Sequence, residues 1–241
     1  MSFKREDGRR ADENRPINII TDFVSSADGS VLIECGRTRV LCNATLLPEV
    51  PKWLQGQGKG WVTAEYSLLP QSTDSRVKRE RKSVSGRTQE IQRLIGRSLR
   101  AGVNLEVLGE RALIVDCDVI EADGGTRTTS IVGGFIALAL ALKKIKAEQG
   151  IEGQILQHWI SAVSVGLLDD TVLLDLCYVE DVSAGVDMNI VMADGKDFVE
   201  VQGTGEGCNY SRDQLNRLLD LGEKGCGDFL QLQKDIVGEL P

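Results

Sequence analysis

Apolar positions along the chain follow two rhythms, and each predicts an element type. Short alternating or continuous apolar runs mark strands at residues 29–36 (GSVLIECG), 38–47 (TRVLCNATLL) and 60–70 (GWVTAEYSLLP), the last ended by Pro70. A glycine-containing turn separates the first two, which read as a hairpin. From Gly86 the spacing changes. Ile91, Leu94, Ile95 and Leu99 recur at helical intervals, with Arg93, Arg97 and Arg100 on other faces. Residues 71–86 are polar, basic and without period, which predicts a mobile loop.

Further along, residues 111–123 (RALIVDCDVIEAD) alternate again as a strand. Residues 126–149 form a helix whose middle is apolar nearly all round, so it is expected to be buried. Four more strand-like runs follow at 162–168, 171–180, 188–193 and 197–203, and residues 211–240 close the chain as one long helix or two broken ones. Strands, helix, strand, long helix, strands and helix make an α+β order, with helices packed on sheets. Without a low-complexity linker or a clear repeat, residues 1–241 read as a single domain.

Composition narrows the picture. Aromatics are 5% of the 241 residues, so the core must be built from Ala, Val, Leu and Ile. The first residues, MSFKREDGRRADENRP, are polar and charged with no signal-peptide core. No apolar run combines the length of a membrane span with freedom from polar breaks. The expectation is a cytoplasmic protein without membrane attachment. Six cysteines, at 35, 42, 117, 177, 208 and 226, form no CxxC pair and mostly lie in apolar runs. They read as reduced core thiols, not a disulfide or zinc framework. The net charge of −8 is unevenly spread. Residues 74–100 hold nine Lys/Arg and three acids, so this window is +6 and the remainder −14. Such a segment suits a polyanion locally, although a solvated loop before a salt-bridged helix has the same composition.

Three stretches carry candidate chemistry. ADGGTRTTSIVGG (residues 122–134) runs two glycines, an arginine and four hydroxyls into the long helix. A helix N-terminus offers unpaired N–H groups and partial positive charge, Gly124 and Gly125 allow close backbone approach, and Arg127 presents a planar fork. The stretch reads as a phosphate or sulfate site, against the plainer alternative of a Gly-rich turn with a Thr cap. It is not a Walker A loop, since no GKS or GKT follows. Arg87, after Gly86 at a second helix start, could add another guanidinium. In LDLCYVEDVSAGVDMNIVM, Asp181 and Asp187 flank a loop between two apparent strands and could converge on one divalent cation, or merely cap turns. Asp175, Glu180 and Glu206 are weaker carboxylate candidates. His158 is the single histidine and reads as structural or surface, which disfavours histidine acid–base chemistry.

With these residues in view, the chain resembles the ribonuclease PH family of phosphorolytic exoribonucleases. The carrying segments are GSVLIECGRTRVLCNA, GQGKGWVTAEYSLLP, GRTQEIQRLIGRSLR, DCDVIEADGGTRTTSI, EDVSAGVDMNIVM and EVQGTGEG, in order and over nearly the whole chain. The resemblance implies a ribosomal-protein-S5-domain-2-like fold, with mixed sheets and packed helices, assembled as a homohexameric trimer of dimers. It implies reversible removal of 3′-terminal nucleotides from tRNA precursors, and from other RNA with single-stranded 3′ ends. Inorganic phosphate is the attacking co-substrate and nucleoside diphosphates are the products. It places the phosphate site on Arg87, Gly125, Thr126 and Arg127, and the metal carboxylates on Asp181 and Asp187, for Mg²⁺ with Mn²⁺ possible. The catalytic set is then Asp181, Asp187, Arg87 and Arg127, and the tRNA-contacting loop carries Arg76, Lys78 and Arg79. The chain departs from the family pattern at Gln55, Gln71 and Asp74, where charge toward tRNA is lost, and at Cys177 and Gly205. The alternative to an enzyme is a catalytically inactive ring subunit that binds RNA.

Overall fold

The computed structural model describes residues 5–206 and 208–241. Its strands form two sheets. The first contains β1 (Ile17–Thr21), β2 (Gly29–Cys35), β3 (Thr38–Leu47), β4 (Trp61–Leu68) and β5 (Ala112–Glu121), in the order β1-β2-β3-β5-β4. Neighbours are antiparallel except β4 and β5, which are parallel. A parallel pair needs a crossover. It is supplied by α1 (Gly86–Ala101) and the single turn α2 (Leu105–Leu108). The second sheet contains β6 (Ile160–Leu168), β7 (Thr171–Leu174), β8 (Val186–Ala193) and β9 (Asp197–Thr204), in the antiparallel order β7-β6-β8-β9.

Between the sheets runs α3 (Thr126–Gln149), packed on β2, β3 and β5 on one side and β6 on the other. Its apolar girdle, from Ile131 to Leu142, is buried throughout except at Leu140. Length and hydropathy alone would let α3 cross a membrane, but 83% of its most apolar window is buried inside the protein. One continuous hydrophobic cluster joins side chains of both sheets through this helix, including Val31, Val115, Phe135, Val163 and Ile190. Close approach fixes small residues here. A Cβ on Gly133 would stand 2.6 Å from Ile33 Cγ2. The last helix, α5 (Arg212–Val237), starts in a Ser211–Gln214 capping box and covers the second sheet.

The expected hairpin is β2–β3, joined at Gly36 with φ +57°. Residues 71–85 carry no helix or strand. Residues 211–240 resolve into one helix rather than two, because Gly222 and Gly225 lie against Ile190 and Leu174 and let the helix sit close to the sheet. Three expectations need correction. The strand expected over 171–180 stops at Leu174, where Asp175 takes φ +51° and breaks the extended run. Residues 178–183 instead form the short helix α4 (Tyr178–Ser183), whose start is capped by Glu180 accepting from the Cys177 amide. Asp181 and Asp187 therefore do not flank a strand–strand connection. β7 and β8 lie on opposite sides of β6, with α4 between them in sequence. Strand β1 carries no clear sequence signal. It is an edge strand with intermediate and exposed positions alternating, so its hydrophobic pattern is weak. Cys35, Cys42, Cys117 and Cys226 are buried free thiols as expected, but Cys177 is half-buried and Cys208 exposed, so neither is a core thiol.

Candidate active site

The turn from β5 into α3 is built by two glycines in the left-handed region, Gly124 (φ +77°) and Gly125 (φ +63°). Their space is taken by neighbours. A Cβ on Gly124 would lie 2.6 Å from the Leu176 carbonyl oxygen, and one on Gly125 would lie 2.6 Å from Arg15 Nη2. Gly125 is the N-cap of α3 and, among the described residues, no side chain caps the helix start. The first-turn amides, with the positive end of the helix dipole, remain available to an anion.

The hydroxyls divide differently from the sequence expectation. Thr128 Oγ1 donates to the Gly125 carbonyl at 3.0 Å and Ser130 Oγ donates to the Thr126 carbonyl at 2.7 Å, so both serve the helix itself. Thr129 is buried. Thr126 keeps its hydroxyl free of the helix backbone, and it meets the Tyr66 hydroxyl at 2.9 Å. Tyr66 is a site residue that the motifs do not reveal. It lies in the inward register of β4 with Val62 and Ala64, which is the periodicity that could have found it.

Two arginines converge on this turn. Burial raises the Tyr66 phenol above its ordinary value, while Thr126, Arg87 and Arg127 pull it back, which places both guanidinium charges within range of the phenol. Arg87 is exposed on the first turn of α1, whose N-cap is Ser85. Arg127 Nη2 is held 3.1 Å from Glu90 Oε2, and Gln202 Nε2 donates to the other oxygen of Glu90 at 3.2 Å. Glu90 lies one turn beyond Arg87 on α1, so this helix brings an arginine and the carboxylate that steadies the other arginine.

The carboxylates face these arginines. Asp181 stands on α4 and Asp187 in β8, paired in register with Gly166 and Thr204. Burial lifts the Asp181 carboxyl above its ordinary value, and Asp187 and Glu206 add to the lift, while Arg87 and Arg127 oppose it. The five groups thus form one electrostatic cluster, even though Asp181 keeps an open surface to solvent. Carboxylates that repel one another at the edge of a basic site suit a divalent cation with oxygen preference. Among the described residues, no group of three or more Asp, Glu, Cys or His is already gathered as a complete ligand shell. A cation held by Asp181 and Asp187 would need water or substrate oxygens as well.

Other candidates fall outside the cluster. Asp175 is fully buried against Arg15, and Glu180 is buried against Arg5. His158 lies on the surface, 2.7 Å from Asp194. Arg76, Lys78 and Arg79 lie on the 71–85 loop, with Arg79 near enough to Asp118 on β5 to oppose the rise that burial causes there. Gln55, Gln71 and Asp74 are exposed. A cavity of about 740 Å³ beside Lys146, Trp159 and Lys234 lies at the opposite end of α3. That is roughly 30 Å from Thr126 at helical rise.

Comparison with known proteins agrees with this architecture. Residues 13–144 match the 3′ exoribonuclease family, domain 1, and residues 158–225 match domain 2 of that family. Ribonuclease PH of Bdellovibrio bacteriovorus is 52% identical over 236 residues, covering 98% of this chain and 97% of the relative. Ribonuclease PH of Bacillus subtilis is 52% identical over 238 residues, with 98% and 97% covered. The fold is shared with a chain of the Archaeoglobus fulgidus exosome with RNA bound to the active site (TM-score 0.78, 20% identity, 95% of this chain and 92% of that one). It is shared also with the archaeal exosome core (TM-score 0.74, 20% identity, 97% and 91% covered). With both family domains present in order and half of all residues identical to these relatives, the chain belongs to the 3′ exoribonuclease family of the ribonuclease PH type.

Proposed function

We propose that the N-terminus of α3 is where this 3′–5′ exoribonuclease brings inorganic phosphate onto the last phosphodiester of an RNA strand. The carrying observation is the convergence of an uncapped helix start, Arg87 and Arg127 on a pair of carboxylates, with the single histidine paired to Asp194 elsewhere. Phosphate is already an anionic nucleophile, so the site needs position and charge rather than a strong base. A phosphate oxygen forms a bond to the terminal phosphorus as the bond to the penultimate 3′-oxygen breaks. The terminal nucleotide leaves as a nucleoside diphosphate, and the shortened strand takes up a proton at its new 3′-hydroxyl. The reverse reaction adds a nucleotide and releases phosphate.

Gly125, Thr126, Arg87 and Arg127 bind the attacking phosphate in this reading, with Thr126 oriented by Tyr66. Asp181 and Asp187 would hold Mg²⁺, or Mn²⁺, which supplies charge stabilisation to the scissile group. The loop carrying Arg76, Lys78 and Arg79 meets tRNA precursors or other RNA with a single-stranded 3′ end. The chain works as a unit over residues 1–241, in a homohexameric ring and in the cytoplasm.

The test is a phosphate titration. Protein, Mg²⁺ and an RNA with a single-stranded 3′ tail are incubated with and without phosphate, and the released nucleotides are identified. Diphosphates that appear only with phosphate are the expected result. Monophosphates without phosphate would mean hydrolysis, and RNA bound but never shortened would mean an inactive ring subunit.

A further inference from the structure

The anion-binding turn does not hold its own shape. Its carbonyls are held from below by a buried polar network that begins outside the turn. Arg15, 4% exposed, donates Nη1 to the Asp123 carbonyl at 2.7 Å. Thr38, fully buried at the start of β3, donates its hydroxyl to the Gly124 carbonyl at 2.7 Å and accepts from the Asp123 amide at 2.9 Å. The Arg15 fork is itself fixed by Asp175, with Nε at 3.0 Å from Oδ2 and Nη2 at 2.6 Å from Oδ1. A trans peptide points its N–H opposite to its carbonyl. Holding the carbonyls of 123 and 124 toward Arg15 and Thr38 therefore turns the amides of 124 and 125 away from that buried side.

The same network reaches the carboxylate side of the site. The Tyr178 amide donates to Asp123 Oδ1 at 3.3 Å, tying the first residue of α4 to the turn. Arg5 bonds Glu180 of α4 at 2.7 and 2.6 Å, and also the Asp175 carbonyl at 3.0 Å. The phosphate turn and the helix bearing Asp181 are thus braced against one frame.

We infer that Thr38, Arg15 and Asp175 are positioning residues for phosphate: they act through the Asp123–Gly124 carbonyls to aim the α3 N-terminus, and they set its distance from α4. This rests on the phosphorolytic reading of the site. Among the described residues the Thr38 hydroxyl bonds Arg15, Asp123 and Gly124 and no residue of the 71–85 loop, so the loss is expected to fall on phosphate rather than on RNA.

The test compares Thr38→Val with Thr38→Ser, alongside the unaltered protein. Three quantities are read: KM for phosphate, KM for RNA, and the rise in melting temperature on adding phosphate. Thr38→Val is expected to raise KM for phosphate on the order of 10-fold and to shrink the phosphate-induced rise, with KM for RNA unchanged. Thr38→Ser, which keeps the hydroxyl, is expected to behave as the unaltered protein. Should Thr38→Val not fold, Thr38→Ala is read in its place. The inference is overturned if KM for phosphate stays within about twofold, if both KM values rise together, or if Thr38→Ser is as impaired as Thr38→Val. If the unaltered protein itself shows no response to phosphate in rate or melting, the phosphorolytic reading fails and this inference falls with it.

Discussion

At the scale of single residues, the site depends on a few charges whose neighbours are mostly distant in sequence. If Arg87 and Arg127 hold the attacking phosphate as proposed, Arg87→Ala and Arg127→Ala each remove one charged donor that positions it, so each is expected to lower kcat/KM for phosphate by about 10²–10³-fold. Single-turnover kinetics at saturating RNA would check this, and a loss below about 5-fold would remove that arginine from the phosphate site. Asp175 yields a pH prediction. Burial alone would raise its carboxyl, but the Arg15 charge and hydrogen bonds outweigh burial and hold it below the ordinary 3.8. A depressed carboxyl stabilises the fold above its unfolded value, and that contribution disappears as the pH falls through the folded value. Asp175→Asn is expected to flatten the acid limb of the stability curve below about pH 4. At neutral pH it should cost about 3–5 kcal/mol by stranding Arg15. Urea melts over a pH series would measure both. The residue types of the cluster are legible in the sequence, since GGTR, Arg87, Asp181 and Asp187 are chemically conspicuous. Tyr66, Glu90 and Thr38 are not. A buried threonine gains meaning only when strand pairing brings it to a turn 86 positions away.

At the scale of elements, hydrophobic rhythm reveals those whose faces are strongly two-sided and loses those whose ends are set by distant partners. β2, β3, β5, α1 and α3 are readable because each buries one face, or all faces, in the core. The end of β7 is obscured because the apolar run through Leu176 and Cys177 continues past the point where Asp175 turns the backbone to meet Arg15. α4 is hidden for the same reason, being one short helix inside a stretch rich in strand formers. Packing between elements is very tight where β2 crosses α3. A Cβ on Gly29 would stand 2.1 Å from the Ala137 carbonyl oxygen. Gly29→Ala is therefore expected to cost about 3 kcal/mol and lower Tm by roughly 6–12 °C, read by circular dichroism. An unchanged Tm would mean that β2 can withdraw from the helix.

At the scale of the whole molecule, net charge and local charge act in opposite directions. The chain carries −8 overall, while residues 74–100 carry nine basic and three acidic side chains. Part of the basic charge near the site is neutralised internally, as Arg97 pairs with Glu200 and Arg127 with Glu90. In the proposed reading the basic loop at 71–85, with the exposed Arg87 and Arg93 beyond it, is what meets a polyanion. Restoring charge there by Gln71→Arg and Asp74→Asn is expected to tighten RNA binding and to steepen its salt dependence by about one unit of slope for each additional phosphate neutralised. Anisotropy titrations across a salt series would decide it, and an unchanged slope would place RNA elsewhere on the surface.

The position of α3 has one more consequence. Its first turn holds the candidate phosphate site, and its remaining turns fill the space between two sheets. Local opening of proteins spares the core until the last, and a turn continuous with the core helix and tied beneath by Arg15 and Thr38 is expected to open with it. Heat should then silence activity and dissolve the fold at the same temperature, with no window of intact but idle protein. A cell wishing to restrain such a catalyst gains little by softening it; control has to fall on how many copies exist, or on what RNA is allowed to reach them.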